Sequence, residues 1–207
     1  MKLLVLVIGP ESTATRAFTK ALCEHDGILG TKNPSEHADI LDPVWFQLER
    51  NDLFAAISHF PANENAKIIV TRRSIPHGPA PGVSAQFLSC PNIDLLQSLC
   101  GELGYQIFVL VTSRSPVPTL LSSVKNRASV GGDIQRAYQQ YQMAYRRIFN
   151  WVSKHDLEYF LVSAESFSID KEDLIDSLHK YFGLEVLPKK EYSEKSLNSQ
   201  YYSLFNR

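Results

Sequence analysis

The sequence predicts an α/β domain of three layers, with a mainly parallel sheet in the middle. Three observations carry this. Short unbroken apolar runs, LLVLVI at residues 3–8, IIV within 67–71 and IFVLV within 105–111, read as strands buried on both faces. Stretches with apolar residues at helical spacing alternate with them. The runs end in Gly9-Pro10, in Arg72-Arg73 and in Thr112-Ser113-Arg114. Turn formers and cations therefore collect at the carboxyl edge of the sheet, where such folds bind ligands.

Taken in order, the first strand (3–8) stops at Gly9-Pro10, and residues 12–22 read as a helix. Residues 24–42 form a polar loop with His25, Gly27, Gly30, Pro34 and His37. A helix is expected over 43–60, with Asp42 as N-cap and Pro43 early in its first turn. Residues 67–71 make the second strand, ending in Arg72-Arg73, and 74–87 a loop punctuated by Pro76, Gly78, Pro79, Pro81 and Gly82. Ile93, Leu95, Leu96, Leu99, Cys100 and Leu103 have helical spacing, with Gly104 as the stop. The third strand covers 105–111, and a helix over 115–127 has Pro116 in its first turn. Gly131-Gly132 breaks the chain before a long helix from Asp133 to about residue 154, whose tyrosines and Trp151 read as a packing stripe. A fourth strand at 159–162, an acidic loop at Glu165 and a helix over 171–182 follow. Residues 188–207 read as an irregular tail of a single domain spanning 1–207.

The 207 residues are enough for a substantial core. A net charge of −1 gives no global electrostatic case for nucleic acid or an anionic membrane surface. Cys23, Cys90 and Cys100 have no metal-ligand spacing and read as core or half-buried thiols of a reducing, cytoplasmic compartment. The first apolar run is too short to span a membrane, and Gly9-Pro10-Glu11 lacks the small-residue cleavage pattern of a signal peptide. His25, His155 and His179 read as loop or surface residues.

A strand, a Gly-containing loop and a helix N-terminus make an anion site, because unpaired N–H groups and the helix dipole converge there. The triphosphate loop G-x-x-x-x-G-K-[ST] is not met. In Gly9-Pro-Glu-Ser-Thr-Ala14-Thr15-Arg16, Ala14 replaces the second Gly, Thr15 the Lys and Arg16 the magnesium-binding hydroxyl. The loop shape is P-loop-like and the triphosphate equipment is missing.

Pro10-Glu11-Ser12-Thr13-Ala14-Thr15 resembles, at Pro10, Ser12 and Thr15, the P-K-S-G-T-T loop of sulfotransferases that use 3′-phosphoadenylyl sulfate. Arg114 at a strand end and Ser122 eight residues on, in a helix, are similar to that family's 3′-phosphate pair. Residues 159–167, followed by a helix ending in F-G-L, are similar to its late strand, acidic loop and helix. The resemblance implies a fold like that of the P-loop-containing nucleotide hydrolases. It also implies sulfuryl transfer from 3′-phosphoadenylyl sulfate to an acceptor hydroxyl without a metal. Gly9, Pro10, Ser12, Thr13, Ala14, Thr15, Arg16, Arg114 and Ser122 would then hold the donor.

One departure matters. Glu11 stands where the family has its loop Lys, so Arg16, or Arg72 or Arg73, takes over the cationic role. Glu11 is then a candidate general base, with His77 as the alternative. Arg72, Arg73 and His37 are candidates for contacting the acceptor. The polar loops point to a carbohydrate or glycan hydroxyl, or another small-molecule acceptor. A kinase with a degenerate loop and a non-catalytic phosphate-binding module are the competing readings, and oligomeric state is left open.

Overall fold

The computed structural model describes residues 2–31, 39–61, 67–76, 91–127 and 130–185. His37, His77, Cys90 and the tail from 188 lie outside the described residues. The elements run β1 (Lys2–Pro10), α1 (Thr15–Leu22), β2 (Ile28–Leu29), α2 (Asp42–Leu48), α3 (Leu53–His59), β3 (Ile68–Ile75), α4 (Ile93–Leu103), β4 (Tyr105–Ser113), α5 (Pro116–Asn126), α6 (Ile134–Lys154), β5 (Glu158–Ser163), α7 (Ala164–Ile169) and α8 (Lys171–Tyr181). Among the described residues five strands pair in parallel in the order β2-β3-β1-β4-β5, so β1 is central.

The continuous apolar run of β1 is explained by burial on both faces. Strand side chains alternate. Leu4, Leu6 and Ile8 pack on Trp45, Leu48, Leu96, Ile148 and Trp151. Leu3, Val5 and Val7 pack on Phe18, Leu22, Phe167, Ile175 and Leu178. The first cluster lies under α2, α3, α4 and α6, the second under α1, α7 and α8, which makes the three layers. Among the described residues no helix is long and apolar enough to cross a membrane.

Several expectations need correction. The helix of residues 12–22 begins only at Thr15, because Ser12 and Ala14 hold positive φ angles of 69° and 68°. The expected helix over 43–60 is two helices. Asn51 turns the chain at φ 60°, and Asp52 caps α3 by accepting from the Ala55 N–H at 2.9 Å. Asp42 is not an N-cap. Leu41 holds that place and Asp42 lies inside the first turn, which frees its carboxylate for tertiary partners. β3 continues to Ile75, so Arg72 and Arg73 lie within the strand, level with Val7 and Ile8. The acidic loop at Glu165 is a short helix, capped by the Ser163 hydroxyl on the Ser166 N–H. His25 and His179 are buried.

Candidate functional site

The loop between β1 and α1 is drawn tightly against the end of β4. A Cβ on Gly9 would collide with the Thr112 hydroxyl and come within 2.7 Å of the Thr112 carbonyl oxygen and of Thr13 Oγ1. Only glycine permits this approach. Thr13 is fully buried. Its hydroxyl donates to the Pro10 carbonyl at 2.7 Å and lies 2.8 Å from the Thr112 hydroxyl. Thr13 is therefore a fastener of the loop. Behind it, α1 starts at Thr15, with Ala14 as an N-cap that offers no side-chain bond and with no acidic residue in the first turn. A helix N-terminus left in this state suits an anion.

α5 holds the same loop along its length. Arg114, just before α5, donates from Nη1 to the Ser12 carbonyl at 3.3 Å. The buried Ser123 donates to the Ser12 hydroxyl at 3.3 Å. Arg127, at the end of α5, lies 4.0 Å from the carboxylate of the buried Glu11. Ser122, one position from Ser123, is half-buried and accepts from Asn126 Nδ2 at 3.3 Å. The turn of the helix thus directs Ser123 to the loop, while Ser122 bonds within α5.

Two tyrosines of α6 reach the end of β4. Tyr145 donates to the Thr112 carbonyl at 3.2 Å and Tyr141 to the Arg114 carbonyl at 3.4 Å. Glu165 in α7 accepts from the Ser115 N–H, at the head of α5, at 2.8 Å. Burial, the largest cause, raises the Tyr145 pKa, and Tyr141 and Glu165 add to it. The Tyr145 hydroxyl therefore stays a proton donor at neutral pH.

The end of β3 is built from charge. Its residues alternate between the two faces of the sheet. Val70 joins the core under α1, and the Ser74 hydroxyl is 3.5 Å from that of Thr15, so Arg72 points to the α1 side. Arg72 is half-buried. Burial lowers its pKa, Asp39 opposes that shift and Arg16 adds to it. Arg16 is exposed on α1. Arg73 faces the other way and is 7% exposed. It donates to Asp42 at 2.5 Å, and its guanidinium lies 5.0 Å from the Trp45 ring centre. The buried Asp39 accepts from the Thr71 hydroxyl at 2.6 Å and from the N–H groups of Leu41 at 3.0 Å and Arg72 at 3.2 Å. Thr71 in turn accepts from Trp45 Nε1 at 3.0 Å. Burial raises the Asp39 pKa against these bonds.

The structure thus gathers Gly9 to Arg16, Arg114 and Arg72 at one edge, and commits Arg73 to Asp42 and Trp45. Sequence reasoning missed Thr112, Ser123, Arg127, Tyr141, Tyr145, Asp39 and Asp42. The spacing of Tyr141 and Tyr145 by four residues in a helix was the one signal available, since it places both hydroxyls on one face.

No family model and no curated protein sequence matches the chain. Solved structures do. A sulfotransferase domain from the curacin biosynthetic pathway superposes with a TM-score of 0.52 at 13% identity, over 96% of this chain and 81% of that one. A sulfotransferase from Alicyclobacillus acidocaldarius aligns over 100% of this chain and 92% of that one, at 13% identity and a TM-score of 0.49. The chain therefore has the P-loop-like α/β fold of the curacin-pathway domain. Its fold is sulfotransferase-like.

Proposed function

We propose that this protein is a sulfotransferase. In this reading it moves the sulfuryl group of 3′-phosphoadenylyl sulfate to an acceptor hydroxyl, on a carbohydrate or glycan. The observation that carries the reading is the junction of loop and helix. A phosphate-type loop, with an uncapped helix behind it, is bonded directly to Arg114 and Ser123. The two ends of a bisphosphate donor would then lie against one continuous surface. The loop N–H groups and the start of α1 take the 5′-phosphosulfate, and Arg114, with Ser122 or Ser123, takes the 3′-phosphate. Arg16 and Arg72, close enough to perturb each other, supply the positive charge that the missing loop Lys would give.

The transfer breaks the bond from sulfur to the phosphate oxygen and makes one to the acceptor oxygen. The acceptor proton passes to a base, and adenosine 3′,5′-bisphosphate leaves. Positioning and charge stabilisation supply most of the rate in such in-line transfers. Glu11 and His77 are the candidate bases. Glu11 is buried with Arg127 beside its carboxylate. The polar, charged sequence of residues 25–42 and 72–82 favours a carbohydrate acceptor, and a metal has no role in this scheme.

A thermal-shift comparison of adenosine 3′,5′-bisphosphate with ATP and magnesium tests the reading, together with a sulfate-transfer assay. Saturation at about 100 times Kd adds ~2.7 kcal/mol, several degrees of Tm for a chain of this length. Stabilisation by the bisphosphate, with transfer, is expected. Stabilisation by ATP alone overturns the reading in favour of a kinase, and bisphosphate binding without transfer to any acceptor leaves a phosphate-binding module. Arg114→Ala should weaken bisphosphate binding about 10- to 100-fold, the cost of a charge-assisted contact. Wild-type affinity in that variant would remove Arg114 from the site.

A further inference from the structure

We propose that Tyr145 and Tyr141 are positioning residues for the 3′-phosphate end of the donor site, acting through the backbone that carries Arg114. This rests on the sulfotransferase reading above. The two tyrosines lie one helical turn apart on α6, and their rings meet edge to face at 5.0 Å between centres. Packing alone would be satisfied by the rings. The hydroxyls do something more specific. They donate to the carbonyls of Thr112 and Arg114, on either side of Ser113, where β4 stops and the chain turns toward α5.

Those carbonyls lie at the junction of the two halves of the site. The Thr112 carbonyl faces Gly9, close enough that a Cβ there would lie 2.7 Å away. The Thr112 hydroxyl meets Thr13 on the same loop. The Arg114 carbonyl belongs to the residue whose guanidinium reaches the Ser12 carbonyl. Tyr145 thereby fixes the surface on which the first loop rests, and Tyr141 fixes the backbone from which Arg114 departs. Glu165 completes the clasp by holding the Ser115 N–H from the opposite side at 2.8 Å. A flexible guanidinium binds a phosphate well only when its backbone is held in place, since ordering it on binding costs affinity. A tyrosine hydroxyl is protonated at neutral pH, and burial moves that of Tyr145 further from ionisation, so the donor is constant there.

The test uses Tyr145→Phe, Tyr141→Phe and the double variant of the full chain, which keep the rings and delete only the hydroxyls. Affinities for adenosine 3′,5′-bisphosphate and adenosine 5′-phosphate are measured side by side. A loss of positioning lowers the preference for the bisphosphate about 2- to 10-fold in each single variant, on the scale of one net hydrogen bond. It lowers it further in the double, and affinity for the monophosphate is retained. Glu165→Ala should lower the same preference, and Glu165→Gln, which keeps an acceptor oxygen, should restore it. An unchanged preference in all variants, or an equal loss for both nucleotides, overturns the proposal. A wild-type protein that binds neither nucleotide overturns the donor reading itself, and the proposal with it.

Discussion

The ends of β3 and β4 flank β1 at the same edge of the sheet and are built from opposite materials. At β4 the bonds are neutral. Hydroxyls of Thr13, Thr112, Tyr141 and Tyr145 meet one another or backbone carbonyls, and the cation Arg114 leans on the loop from outside. At β3 the bonds are made by charged side chains, Asp39 and Arg73 buried and Asp42 partly exposed. Asp39 gathers three donors, and Arg73 is committed to Asp42 and Trp45. Neutral bonds fix a backbone without setting a charged group against it. Buried charges that satisfy each other leave little for a ligand, and removing one exposes the desolvation cost of its partners. The β4 end should therefore govern donor affinity, and the β3 end should govern stability.

The largest effect should come from Asp39→Ala. It leaves the Thr71 hydroxyl and the Leu41 and Arg72 N–H groups without their acceptor in a buried site. An unsatisfied buried donor costs about 1–3 kcal/mol, so a loss of about 2–4 kcal/mol is expected after partial relaxation. For a chain of this length that lowers Tm by roughly 5–15 °C. Asp39→Asn keeps an oxygen for Thr71 and Leu41 and should fall between. Bisphosphate affinity, measured well below Tm, should change little. A variant that kept its Tm and lost the ligand would invert the comparison.

Gly9→Ala is the matching test at the other end. Its added methyl meets Thr112 and Thr13, both held by further bonds. Such overpacking costs about 1–3 kcal/mol, or roughly 2–10 °C in Tm, a smaller fall than at Asp39. The loop must lift from β4 to accept the methyl, so bisphosphate affinity should drop by an order of magnitude or more in titration calorimetry. An alanine variant with wild-type affinity would show that the close approach of loop and strand is structural only.

The contrast also explains what the sequence revealed. The strand, loop and helix at Gly9 to Thr15, and the strand ending at Arg114, are local patterns of a few residues. Their apolar runs and punctuation are visible in one dimension. Asp39 lies 32 residues from Thr71, and Asp42 lies 31 from Arg73. Nothing local marks such partners. Arg72 and Arg73 were visible as a pair, but only the strand's continuation to Ile75 shows which faces α1. Ser123 shows the same at one-residue scale, since only the rotation of α5 brings it to Ser12.

A third region, remote from both ends, offers the smallest effect and separates their signs with pH. His25 and His179 meet edge to face at 4.9 Å. His25 Nδ1 accepts from the Gly27 N–H at 2.9 Å, so its Nε2 carries the proton toward the Glu185 carbonyl at 2.8 Å. His179 Nε2 lies 3.2 Å from the Leu22 carbonyl. Burial, the largest cause, lowers the His179 pKa; the Leu22 bond opposes this, His25 adds to it, and Asp176 and Glu24 oppose it. The unfolded chain therefore takes up this proton before the folded one does, and the contribution of His179, complete above its ordinary value of 6.5, is lost as pH falls below it. Asp39 acts in the opposite sense. Its raised pKa makes the folded state bind a proton that the unfolded chain has released, so it favours folding as pH falls toward its ordinary value of 3.8. Tm measured from pH 7.5 down to 4 should fall less in His179→Gln than in the wild type, and toward the acid end of that range Asp39→Asn should fall more steeply than the wild type. Equal slopes in all three proteins would show that neither buried group titrates differently on folding, and the division of the molecule into a neutral and an ionic end would then lose its acid-base signature.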